Sequence, residues 1–313
     1  MAPARLATVN FSKISASSAD GFDAISLLEN SSASIFACEV CSIFSVFENI
    51  LPVHFAKFRS FVCAVHNLTS TNAYHNVEHL LDTVQFMHSC LCSAGPFQNL
   101  WRRPLTALTC LLAMLVHDVS HPGMSNVILK VKSPELTMRF GLDSTAEKLH
   151  VHVTKTLLKD PALDFLCDFS PRDRQTLMHD LEELVLATDI ARHKELLSAC
   201  LEQRADLDMA AMILAVKLAD LSHNLRPYGV HKKWVSRLQE ELEIQGLSLG
   251  ENDHSLAQNQ VSFLTTFVRP LLSQVQSTYG HCEFLHKVQH NLEDNIFQWG
   301  ALKAAMEKQR LKS

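Results

Sequence analysis

The chain predicts an all-α fold, a compact multi-helix domain, from three observations. Apolar residues recur at helical spacing along most of its length, strand-like alternation is nearly absent, and only nine Gly and ten Pro interrupt 313 residues. At 35.1 kDa and 47% hydrophobic, the chain is large enough to bury a sizeable core. Taken in order, the periodic segments place helices at about 22–29, 34–48, 53–66, 76–93, 104–117, 124–131, 144–158, 171–187, 193–200, 206–222, 227–245, 254–277 and 281–308, joined by short polar turns. LTALTCLLAMLV (105–116) is apolar on almost every face, which marks a buried helix, and Pro122-Gly123 closes it. Ser170-Pro171-Arg172-Asp173 is a start signal, because Ser caps and Pro is favoured at the first helical position. LVLATDIARH (184–193) ends that helix with an Asp and a His.

No internal repeat, low-complexity tract or long linker divides the chain. One domain from 20 to 305 is expected, after a disordered segment 1–19 and before a short tail 306–313. The opening MAPARLATVNFSKISASS carries Arg5, Lys13, several Ser and no acid, a faint presequence-like composition that a disordered start explains better. A net charge of −5 without a basic stripe argues against nucleic acid as a partner. No apolar run reaches the length of a membrane span, so no transmembrane segment is expected. Nine cysteines, an odd number with neither framework-like spacing nor a secretory signal, point to a reducing, cytoplasmic setting. Cys38-x2-Cys41 lacks a second pair and lies in an apolar helical segment, so packing rather than a zinc ribbon is expected. A homodimer through a helical face is compatible with the pattern, though no heptad run specifies one.

Histidine is abundant, 17 in all, so spacing alone says little. Roughly one His-x3-His pair is expected by chance, and three occur, at 75/79, 117/121 and 286/290. The last, in FLHKVQH, has no adjacent carboxylate and reads as a solvated helix face. The others sit in YHNVEH and VHDVSHPGMSN, and a third acidic segment, LADLSHN, carries Asp220. His75 and His79 face the same way if a helix has begun by Tyr74. His117 and Asp118 are neighbours, which diverge by about 100° on a helix, so both reach one ion only where the helix is ending. A carboxylate at the end of a buried helix is costly unless it is paired or bound to metal. Together these segments read as one divalent-metal site assembled by folding.

In this setting HDVSHPGMSNVI resembles the signature of the class I 3′,5′-cyclic nucleotide phosphodiesterases. YHNVEH upstream, ATDIARH and ADLS downstream, and QVSFLTTFVRPLL near the C-terminus follow in that family's order, over about residues 20–300. The resemblance implies an HD-type phosphodiesterase catalytic domain that hydrolyses cAMP, cGMP or both to the 5′-monophosphate. Two divalent ions are implied, Zn2+ and Mg2+, with Mn2+ as an alternative. His79, His117, Asp118 and Asp220 match the ligands of the first ion, and Asp118 also bridges to the second. His121, Glu147, Thr188 and Asp189 match the outer residues that hold the second ion's waters. His75 matches the general acid, with Tyr74 beside it. Gln260 matches the glutamine that reads the purine edge, Phe263 the aromatic that stacks on the base, and Leu238 the apolar residue opposite.

The chemistry fits those types. A cyclic phosphodiester needs a nucleophile at neutral pH, charge neutralisation on phosphorus and a proton for the leaving alkoxide; paired divalent ions meet the first two and an imidazole the third. The chain departs from the family pattern at Ser120, Leu149, Lys217 and His223, and the stretch 246–260 is short. None of these removes an expected metal ligand. The residues ahead of the first core helices are too few for a separate sensor domain, unless the chain is an excised fragment. Two other readings are a different HD-type phosphohydrolase acting on linear nucleotides and a non-hydrolytic nucleotide-binding scaffold.

Overall fold

The computed structural model describes residues 21–28, 33–69, 71–93, 97–202 and 207–310, and among them all regular structure is helical. The expected disordered segment 1–19 and residues 311–313 lie outside the described residues, whereas 306–310 continue the last helix. In chain order the helices are α1 (Ala24–Leu28), α2 (Ala33–Phe44), α3 (Phe55–Leu68), α4 (Val77–Cys92), α5 (Gln98–Trp101), α6 (Pro104–Val116), α7 (Asn126–Lys132), α8 (Pro134–Phe140), α9 (Thr145–Leu157), α10 (Pro171–Leu186), α11 (His193–Leu201), α12 (Leu207–Asp220), α13 (Tyr228–Ile244), α14 (Asp253–Phe263), α15 (Arg269–Tyr279) and α16 (Glu283–Arg310). No described helix is long and apolar enough to cross a membrane.

Helix α6 is the axis of the molecule. Every residue from Ala107 to Val116 is buried, as its apolar circumference requires, and α4, α10 and α12 surround it. Ser170 caps α10 by accepting the Asp173 N–H (3.1 Å). Helix α16 lies along α14 and α13, and its His286 and His290 are exposed. Cys41 packs partly against the core while Cys38 is exposed, and all nine cysteines are free thiols.

Two elements depart from the expected list, and one divides. The four-residue α5 is too short to show a period, and α8 buries none of its residues, so neither carries an amphipathic signal. The helix expected over 254–277 is interrupted by a π-helical turn, Leu264–Val268, just ahead of Pro270. Proline has no N–H to give to the preceding turn, and one widened turn accommodates it.

A buried ion pair ties together two elements that carry the site. Arg226 is fully buried; its Nη2 lies 3.0 Å from Asp82 Oδ1 and donates to the Asp82 carbonyl (3.3 Å) and to Gln85 Oε1 (2.8 Å) on α4, and the guanidinium lies over the Phe86 ring (5.1 Å). Ser222 donates to the other Asp82 oxygen (2.8 Å), so the turn following Asp220 is bound to the helix that begins beside His79. Arg226→Met is expected to cost about 3–5 kcal/mol, because it leaves the Asp82 carboxylate buried and uncompensated. A urea unfolding curve measures it, and a loss below about 1 kcal/mol would show that the pair is not structural.

Candidate active site

Helix α6 ends at Val116, and His117 is its cap. His117 keeps helical dihedrals (φ −60°, ψ −23°), and the next three residues form a turn closed by Ser120 at φ 60°, which ends the helix just past Asp118. His117 Nδ1–H donates to Met114 O (2.9 Å), which aims Nε2 inward. Gly123 sits at φ 66°, where an added Cβ would lie 2.7 Å from Asn72 Oδ1, and Asn72 Nδ2 in turn donates to His121 O (2.9 Å).

Four donors converge, from α4, from the end of α6 and from the last residue of α12. His79 Nε2 is 3.3 Å from His117 Nε2, 3.4 Å from Asp118 Oδ2 and 3.6 Å from Asp220 Oδ1. His117 Nε2 is 3.1 Å from Asp118 Oδ2 and 3.3 Å from Asp220 Oδ1. Ligands held at about 2.1 Å and about 90–110° apart around one ion stand roughly 3.0–3.4 Å from each other, so the spacing of the two imidazoles from each other and from each carboxylate fits an ion between them. Two imidazoles and two carboxylates form a divalent-metal donor set. Burial opposes charge on all four groups. The Asp118 and Asp220 carboxylates nonetheless hold the His79 and His117 rings above the usual imidazole range, and those rings hold both carboxyls below theirs.

Asp118 has a second side. Its Oδ1 lies 3.7 Å from His150 Nε2, and Asp118, His121 and His150 offer ligand atoms that all lie within 4.8 Å of one another. Burial presses the His121 ring far below its usual range and takes His150 to about 4, so both remain neutral. Glu147 and Asp189 are each fixed by neighbours. Asn126 Nδ2 donates to Glu147 Oε2 (3.0 Å), while Ser144 Oγ donates to Asp189 Oδ2 (2.7 Å) and the Ala191 N–H to Asp189 Oδ1 (2.9 Å). Burial and the Asp189 charge raise the Glu147 carboxyl to about 7. Thr188, buried beside Asp189, donates its hydroxyl to Val185 O (2.8 Å).

His75 is not carried by a helix. Helix α4 starts at Val77, and Asn76 caps it by accepting the His79 N–H (3.1 Å), so His75 sits in the preceding turn. Glu241 of α13, 3% exposed, pins that turn: it accepts the N–H groups of Tyr74 and His75 (2.9 Å each) and His75 Nδ1–H (2.5 Å). The His75 ring stacks on His121 at 3.8 Å between centroids, which sets it at the edge of the donor cluster. Tyr74 packs edge-on against His75 (4.8 Å) and Trp234 (5.6 Å) and lies 4.9 Å from His79. Glu241 was not a sequence candidate, since nothing in QEELE distinguishes it from Glu240 or Glu243. Asn126 was likewise missed as a holder of Glu147.

Leu238 lies half-buried one turn before Glu241 on α13. Gln260, 5% exposed, and Phe263 lie near the end of α14; Phe263 stacks on Phe267 (5.2 Å, 19°) across the π-helical turn. His193 Nε2–H donates to Phe267 O (3.2 Å), linking this stack to the loop that carries Asp189. Among the described residues, no hydrogen bond or ring contact joins Gln260 or Phe263 directly to the four converging donors. His223 stacks on His231 (5.3 Å, 18°), which accepts the Trp299 N–H (2.9 Å). Burial holds His223 well below its usual range and His231 at about 3, so two neutral rings back the site at that position.

Comparison with known proteins agrees with this geometry. A family model described as 3′5′-cyclic nucleotide phosphodiesterase matches residues 74–291. An isoform of the Drosophila melanogaster 3′,5′-cyclic-AMP phosphodiesterase is 28% identical over 226 residues, covering 64% of this chain and 34% of the relative. A dual-specificity calcium/calmodulin-dependent cyclic nucleotide phosphodiesterase of the same organism is 29% identical over 215 residues, covering 64% and 26%. A probable 3′,5′-cyclic-AMP phosphodiesterase of Caenorhabditis elegans is 28% identical over 256 residues, covering 74% and 37%. The matches thus span about a third or less of the length of the first two relatives. In fold, the phosphodiesterase domain of the Salpingoeca rosetta rhodopsin phosphodiesterase superposes with a TM-score of 0.83 at 21% identity, covering 98% of each chain. With a family match over most of its length and a matching fold, the chain belongs to the 3′5′-cyclic nucleotide phosphodiesterase family.

Proposed function

We propose that this chain hydrolyses 3′,5′-cyclic nucleotides, cAMP, cGMP or both, to nucleoside 5′-monophosphates, and so ends cyclic nucleotide signals. The observation that carries the reading is the two-sided Asp118, with His79 and His117 beside one oxygen, both rings also facing Asp220, and His121 and His150 close by on the other side. Zn2+ fits the side of His79, His117, Asp118 and Asp220; Mg2+ or Mn2+ fits the other side of Asp118, toward His121 and His150, with Glu147, Thr188 and Asp189 as the outer residues that would hold its waters. When bound, such ions supply a nucleophile at neutral pH and neutralise charge on the phosphate.

The chain's own residues supply the rest. Glu241 holds the His75 ring and its backbone, so that His75 can protonate the departing 3′ oxygen. Gln260 offers a donor and an acceptor to a purine edge, while Phe263, backed by Phe267, and Leu238 provide apolar walls for the base. The nine free thiols support a reducing, cytoplasmic setting.

The test is hydrolysis of cAMP and cGMP by purified protein with added Mg2+ or Mn2+, product resolved by chromatography. The 5′-monophosphate is the expected product, lost on chelation and restored by metal. Turnover of a linear nucleotide but of neither cyclic one would replace this reading with that of another phosphohydrolase. Binding of a cyclic nucleotide without turnover, in metal-loaded protein, would replace it with that of a scaffold.

A further inference from the structure

Lys217 stands one turn before Asp220 on α12, on nearly the same helical face. It is only 2% exposed, and the one hydrogen bond of its ammonium among the described residues goes to Ala187 O at 2.7 Å. Ala187 immediately precedes Thr188 and Asp189. A buried ammonium whose hydrogen-bond partner is a neutral carbonyl is expensive. Burial lowers the Lys217 amine to about 8 against the pull of Asp220 and Asp189, which leaves it mostly charged at neutral pH. What offsets the cost is the pull of the Asp220 and Asp189 carboxylates, which outweighs repulsion from Arg192.

We infer that Lys217 is a resident cation of the metal pocket, weakening divalent-ion binding there while adding positive field for an anionic phosphate. The inference rests on the metal-site reading above. The competing role is mechanical: the ammonium would merely pin Ala187 and so hold Asp189 in place. The two differ in sign. Removing a pin loosens the site and weakens metal binding, whereas removing a cation leaves the carboxylates uncompensated and tightens it.

The experiment is titration calorimetry of Mn2+ into chelator-treated, dialysed protein, with the wild type, K217M, K217Q and K217R compared at neutral pH and folding checked by circular dichroism. K217M and K217Q are expected to bind Mn2+ about tenfold tighter or more, since one unit of charge is lost near a divalent ion. K217R keeps the charge and is expected to stay near the wild type. The KM for cAMP is expected to rise several-fold in the two neutral variants. Unchanged or weaker Mn2+ binding in K217Q, which keeps an amide donor without charge, overturns the inference even if K217M does not fold. A wild type that binds no Mn2+ overturns the metal reading itself, and the inference with it.

Discussion

Asp220→Ala is expected to lower kcat/KM for cyclic nucleotides by about 10^3-fold or more, with the helical fold retained. The size follows from the chemistry: metal assistance supplies several kcal/mol of transition-state stabilisation, and each 1.36 kcal/mol is about tenfold in rate. Asp220 Oδ1 is 3.3 Å from His117 Nε2 and 3.6 Å from His79 Nε2, so its removal opens one corner of the donor set and leaves two imidazoles and Asp118. A separate readout does not need activity. An ion that binds only the folded state stabilises it, by about 4 kcal/mol at a thousandfold excess over Kd. Chelation is therefore expected to lower the unfolding midpoint of the wild type and to leave that of D220A nearly unchanged, with metal content by elemental analysis falling in parallel. Full activity in D220A, or equal responses to chelation, would rule out Asp220 as a ligand.

Much of this site was legible because its donors sit beside strong local signals. An apolar run that ends at Val116, then His117-Asp118, then Pro122-Gly123, describes a helix that stops where a cluster of metal-type donors begins, and the turn at Ser120 is how it stops. What escaped was set by contacts distant in sequence. Glu241 is one of several glutamates on α13, and only the packing of that helix against the turn at Tyr74 and His75 selects it, across 166 residues in sequence. His75 and His79 have helical spacing, yet Asn76 caps the helix between them, so the spacing suggested one face where the chain uses two elements. The π-helical turn behind Phe263 was hidden for a similar reason. Pro270 shows that a hydrogen bond is missing, but not whether the helix kinks, breaks or widens to absorb the loss.

His75→Ala is expected to reduce kcat on cAMP or cGMP by about 10^2- to 10^4-fold, the usual range for a positioned general acid. The role is separable from metal binding by changing the leaving group. A nitrophenyl phosphodiester expels a stable phenolate that needs no proton, so H75A is expected to hydrolyse it within a few-fold of the wild type while failing on the cyclic substrate. On the proposed mechanism Glu241 acts through His75: it accepts Nδ1–H and two backbone N–H groups, and His75 in turn holds the Glu241 carboxyl below its usual range against the opposing effect of burial. E241Q keeps the shape but replaces the anionic acceptor, and about a tenfold or larger loss of kcat on the cyclic substrate is expected. Because the two residues form one unit, their effects will not add: in the H75A background E241Q should cost little more. Equal losses on the cyclic and nitrophenyl substrates would mean that His75 helps to build the metal site rather than to protonate the leaving oxygen. Additive losses in the double variant would separate Glu241 from the acid and return it to a purely structural place under the Tyr74 turn.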